Sequence, residues 1–140
     1  MPSNREKGLA FQREVKKILE ERNWVVQNYP IGSRWIKVRD VLGADLIGIQ
    51  HDYVLGKSQM LLVQASCDGH VKKRIETYRK YFKNSIKDVR LQIWIKTGKG
   101  KINIKEVVFH QKNPFIFNLA RVINGEVQYE KEIYMINASI

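Results

Sequence analysis

Leu9, Phe11, Val15, Ile18 and Leu19 recur largely at three- and four-residue intervals near the start of the chain, the period of one buried helix face. The pattern predicts a helix that follows Asn4, runs to Arg22 and ends at Asn23. Trp24-Val25-Val26 then begins a strand, and a loop from Tyr29 to Val41 separates it from the next apolar run. Ala44 to Gln50 (ADLIGIQ) and Gln59 to Ser66 (QMLLVQAS) read as partners in a hairpin, with His51-Asp52 and Leu55-Gly56-Lys57-Ser58 between them as turn.

Helical spacing returns at Val71, Ile75, Tyr78 and Phe82, with Lys72, Lys73, Arg79, Lys80 and Lys83 on the opposite side. Val89 to Lys96 alternates as a strand, Gly98 to Gly100 is a turn, and Ile102 to His110 reads as a return strand. Phe115 to Ile123 and Glu126 to Ile136 flank Asn124-Gly125, a strong hairpin signal that predicts a C-terminal β-hairpin. A helix lying between apolar strands implies a crossover connection. The expected fold is therefore α/β (mixed α+β), one domain over residues 1–140, with a central mixed sheet flanked by helices.

Charge changes the picture most. Twenty-five Lys and Arg stand against 14 Asp and Glu, a formal charge of +11, while 44% of the residues are apolar. A chain this rich in apolar residues folds, so its charge lies on a folded surface and favours a polyanionic partner. No apolar window approaches the ~18 residues of a membrane span, and the start MPSNREKG lacks the apolar stretch of a signal peptide. One cysteine, Cys67, excludes an internal disulfide, and with only three histidines a zinc site is not expected. The expectation is an intracellular, cytoplasmic protein that binds nucleic acid and no membrane.

Hydrolysis of a phosphodiester by metal ions needs hard oxygen ligands converging on one point and a cation beside them. Two adjacent strands supply this cheaply, because residues spaced by two share a face. Asp45 at the start of one strand and Gln64 and Ser66 on the next have that layout. Gln64 interrupts an apolar run, so it has to be hydrogen-bonded or ligand-facing. The plainer reading makes Asp45 a turn cap and Gln64 a partner of the backbone.

Glu6-Lys7-Gly8-Leu9-Ala10-Phe11-Gln12-Arg13-Glu14-Val15, Gly43-Ala44-Asp45-Leu46-Ile47 and Val63-Gln64-Ala65-Ser66 together resemble the PD-(D/E)XK nuclease superfamily. Within it the chain is most similar to archaeal-type Holliday junction resolvases and small homing endonucleases, over about the first 95 residues in element order. The resemblance implies a restriction-endonuclease-like fold and magnesium-dependent DNA cleavage, with manganese as a substitute. It makes Asp45 the metal-binding aspartate and Gln64 a second ligand through its side-chain oxygen. Ala65 would contribute its main-chain carbonyl. Ser66 stands where the family keeps its catalytic lysine, and a hydroxyl carries no charge to stabilise the transition state. Lys72, Lys73, Lys96, Arg34 and Arg39 are the candidate replacements; the alternative is a catalytically inactive DNA-binding or architectural protein on the same fold.

On the first helix, motif register selects Gln12 and charge chemistry selects Glu14. The two fall on opposite flanks of the buried stripe, and Glu14 is otherwise an exposed partner of Lys17. In the loop before Asp45, Arg34, Trp35, Lys37 and Arg39 suit phosphate contacts and base stacking, although Trp35 could equally anchor the loop in the core. Lys72, Lys73, Arg79 and Lys80 read as a phosphate-tracking face or a solvated one. His51, His70 and His110 have no ligand spacing, and Cys67 reads as a small buried residue. DNA, including branched DNA, is the expected partner. A homodimer is expected for symmetric cleavage, with residues 115–117 and 129–136 as candidate interface.

Overall fold

The computed structural model describes residues 3–28 and 42–130, and these form two helices and seven strands. Helix α1 (Asn4–Glu21) begins one residue earlier than the apolar pattern predicts, because Ser3 is its cap and Ser3 Oγ accepts the Glu6 N–H at 3.2 Å. At its other end Arg22 N–H and Trp24 N–H both donate to Leu19 O, and Asn23 takes a left-handed φ of 68°.

Strands β1 (Val25–Asn28), β2 (Leu46–Asp52) and β3 (Lys57–Ser66) form an antiparallel meander. Helix α2 (Val71–Arg79) then crosses over, and β4 (Val89–Gly98) lies parallel to β3, a return that requires a crossover rather than a tight turn. Strands β5 (Lys101–His110), β6 (Asn113–Ile123) and β7 (Glu126–Tyr129) continue antiparallel, so the sheet order follows the sequence order. The result is a mixed α/β protein built on one seven-stranded mixed sheet.

Alternation along β4 assigns the two faces. Trp94 packs with Phe11, Val15, Ile18 and Leu19 of α1, whereas Leu91, Ile93 and Ile95 pack with Ile75 and Tyr78 of α2. The α1 face is concave: one core joins Val26 of β1 to Val122 of β6, and Arg22 Nη2 donates to the Tyr129 hydroxyl at 2.9 Å. The sheet thus curls around α1. Two glycines make close approaches possible. A Cβ on Gly48 would lie 3.1 Å from the Trp24 ring, and one on Gly43, whose φ is +87°, would lie 3.2 Å from Thr77 of α2.

Several boundaries differ from expectation. The β2–β3 hairpin closes on a tighter turn, 53–56, with Val54 and Leu55 N–H both donating to Asp52 Oδ1; this adds Lys57 and Ser58 to β3. Helix α2 stops at Arg79, yet Phe82 is buried, because Phe82 N–H continues to Tyr78 O and its ring meets the Tyr78 ring edge-on. Cys67 is exposed rather than buried, since it is the first residue beyond β3, where the chain leaves the sheet. Asn124-Gly125 forms the turn between β6 and β7; predicted strand residues 131–136 lie outside the described residues.

Candidate functional site

Asp45 sits immediately before β2, where the chain enters the sheet. Its N–H donates to Val63 O at 2.9 Å, and its carboxylate accepts the Ala65 N–H at 2.9 Å. The Asp45 side chain is thereby held against the β3 segment that carries Gln64. Ala44 beside it is buried in the α2-side core.

Gln64 is almost wholly buried, at 1% exposure. Its Nε2 donates to the main-chain carbonyl of Arg74 at 2.9 Å, which ties β3 to α2. A carbonyl only accepts, so this contact fixes which end of the amide is nitrogen. The other end, Oε1, is buried and has no hydrogen-bond partner among the described residues. Such an acceptor costs about 1–3 kcal/mol when nothing meets it.

Ser66 is fully buried on the same face of β3 as Gln64. Its hydroxyl donates to Asp68 Oδ1 at 2.6 Å and accepts the Gly69 N–H at 3.2 Å. The position where the resemblance implies lysine is thus a closed local network. Asp68 also receives the His70 N–H at 3.1 Å and lies 3.8 Å from Arg74 Nη2. The Ser66 hydrogen bond, foremost, then the His70 N–H and the Arg74 charge hold the Asp68 carboxyl below its usual range, against the opposing effect of partial burial.

Tyr78 closes the site from beneath. Its hydroxyl lies 3.1 Å from Leu62 O and 2.9 Å from Gln92 O. Burial chiefly, and then the nearby Asp45 charge, push its pKa well above the ordinary tyrosine value. The phenol stays neutral and donates.

The remaining expected residues divide between the two faces. Glu14 and Lys96 form an ion pair at 3.3 Å, and Lys96 Nζ lies 5.8 Å from the Phe11 ring centroid. Both belong to the α1 face, so Lys96 is separated from Gln64 and Ser66 by the sheet. The expected Lys17 partner of Glu14 gives way to Lys96 because α1 lies across the end of β4, and Glu14 is half-buried there. Gln12 is also half-buried. Lys72, Lys73 and Lys80 are exposed, whereas Arg79 binds Glu76 and the Lys112 carbonyl, each at 2.8 Å. Arg34, Trp35, Lys37 and Arg39 lie outside the described residues.

Arg74 and Asp68 escaped the sequence reading. Arg74 stands at i−1 to Ile75 and i−4 to Tyr78, inside the apolar stripe rather than opposite it. A charge within such a stripe is the signal that could have found it. Among the described residues no three His, Cys, Asp or Glu side chains gather as a metal-binding group, and no helix is long and apolar enough to cross a membrane. Comparison with known proteins returns no matching family model, no matching curated protein and no matching solved structure.

Proposed function

We propose that this protein is a metal-dependent DNA endonuclease of the PD-(D/E)XK type, acting in the manner of a Holliday junction resolvase or a homing enzyme. The observation that carries the reading is the orphaned, buried Oε1 of Gln64, in the strand segment against which the Asp45 carboxylate is held. A buried acceptor without a donor is where an ion or an ordered water sits, and the Asp45 carboxylate held against the same strand segment favours a cation.

The donor set fits magnesium or manganese, which take oxygen ligands and keep several waters. Asp45, Gln64 and the Ala65 carbonyl are the residues that would hold it. When bound, such an ion supplies Lewis acidity and charge neutralisation at the phosphate being cleaved. Arg74 brings the positive charge that Ser66 cannot, from a side chain ion-paired to the carboxylate that engages Ser66. Asp68 and the Gln64 amide position Arg74 by its side chain and its main chain respectively. Helices on opposite faces of a mixed sheet support a restriction-endonuclease-like fold, and exposed Lys72, Lys73 and Lys80 with a charge of +11 support DNA as partner. A homodimer accords with Phe115 and Ile116 exposed on β6, and sedimentation at micromolar concentration tests it.

Cleavage of labelled branched and linear DNA with magnesium or manganese tests the enzyme reading. Asp45→Asn and Arg74→Gln are expected to abolish cleavage while DNA binding persists. Absence of cleavage by the parent protein, with no Asp45-dependent manganese binding in calorimetry, would overturn it. The closed Ser66–Asp68 network favours a second reading, a DNA-binding protein without catalysis. It predicts steep salt dependence with no metal requirement.

A further inference from the structure

Near the end of α1, polar side chains meet the edge of the core on the concave face of the sheet. A cavity of about 160 Å³ opens there, lined among others by Trp24, Trp94, Gln50, Gln59, Arg22 and Arg90. We propose that this cavity binds a single unstacked nucleobase, with the rim guanidinium of Arg22 meeting its phosphate.

Size limits the occupant first. An enclosed cavity of about 150 Å³ takes a benzene-sized ring, so this open one has room for one small ring with the rest of the ligand outside. The lining then selects a heteroaromatic over a hydrocarbon. Two indoles bound the space, and the Trp24 ring is itself seated on the Gly48 backbone. Gln50 and Gln59 face each other as cross-strand partners on β2 and β3. One Gln50 Nε2–H donates to Arg22 O at 3.0 Å, leaving the second N–H and the amide oxygen, and the Gln59 side-chain amide makes no hydrogen bond to another described residue. Donors and acceptors side by side in a cavity bounded by aromatic rings are what a base edge pairs with.

The base of the cavity is already organised. Trp94 Nε1 donates to Gln92 Oε1 at 2.9 Å, Gln92 Nε2 donates to Glu106 Oε1 at 3.0 Å, and Arg90 grips the same oxygen through Nε and Nη2 at 2.9 and 2.7 Å. This chain fixes Arg90 and the Trp94 indole without ligand, so binding orders little. At the rim Arg22 is held by the Tyr129 hydroxyl and lies 5.5 Å over that ring. The cavity is on the α1 face, opposite Gln64 and Arg74, and does not depend on the proposed nuclease site.

The base can arrive as a free nucleotide or extruded from a strand. A Trp35→Phe protein, kept metal-free with chelator, is titrated with dCMP, dTMP, inorganic phosphate and a duplex carrying one extrahelical base, and the remaining tryptophan fluorescence is read. Saturable quenching by the mononucleotides, weakened about tenfold in Gln59→Met and in Arg22→Met, is expected, with none from phosphate alone. Quenching by the bulged duplex but not by free nucleotides, with the same sensitivity to Gln59→Met, would also support the site and assign its source to nucleic acid. No saturable quenching by any base-containing probe, or quenching unaltered in both variants while their melting temperatures match the parent, would overturn it. Because no metal is present, failure here leaves the cleavage assay untouched, and failure of cleavage leaves this result standing.

Discussion

Gln64 donates from its side-chain amide to the main-chain carbonyl of Arg74 at 2.9 Å, and the same amide leaves its oxygen buried without a partner among the described residues. One residue thus joins the central sheet to α2 and presents an unmet acceptor beside the Asp45-bound segment. Leaving one end unmet costs about as much as the other end gains, so an ion or an ordered water at Oε1 would be stabilising.

Substituting Gln64→Glu exchanges the donor facing Arg74 O for a second acceptor and buries a carboxylate. Without metal this is expected to destabilise the protein by at least about 2 kcal/mol. Millimolar manganese should recover more of the melting temperature in the variant than in the parent. A variant whose melting ignores manganese would argue that no cation is held there.

Tyr78→Phe keeps the buried ring and removes the hydroxyl between Leu62 O and Gln92 O. Urea unfolding is expected to show a loss of about 1–2 kcal/mol with an unchanged denaturant slope. A neutral result would mean that the strand carbonyls are satisfied without the phenol.

Asp68 gives the site a pH signature. Its folded pKa is lowered, so its interactions add stability above the unfolded value and lose it as pH falls through the folded one. Asp68→Asn should therefore melt below the parent near neutral pH, and the gap should close below about pH 4. Melting curves across that range, run in parallel on both proteins, decide it; a gap that persists in acid would assign the effect to packing.

Glu14 and Lys96 join α1 to the end of β4, but both side chains are more than a third exposed. A double-mutant cycle with Glu14→Gln and Lys96→Met is expected to return a coupling of about 0.5 kcal/mol, smaller in high salt. A coupling several times larger and indifferent to salt would show a desolvated pair instead.

Order and type of the elements were legible in the sequence because each rests on local periodicity. The stripe from Phe11 to Leu19 and the alternating strands either side of α2 each name their own buried face. Gln64 stood out because it interrupts an apolar run, and Asp45 and Ser66 because two-residue spacing on adjacent strands sets them toward the same end of the sheet. Alternation also put Gln64 and Ser66 on one face before any coordinates.

Which face, and opposite what, only the tertiary structure decided. Periodicity is indifferent to the partner an element packs against, so it could not seat Gln64 under α2, send Glu14 from α1 to Lys96 at the end of β4, or bring Arg74 to Asp68. Nor could it show that the sheet curls, because curvature accumulates over many strands and no single one encodes it. That curl carries β7 around to Arg22 and leaves a polar cavity past the end of α1. Ser66 illustrates both halves. Its identity alone showed an uncharged residue where the resemblance implies lysine, and the fold showed the hydroxyl committed to Asp68, which Arg74 approaches at 3.8 Å.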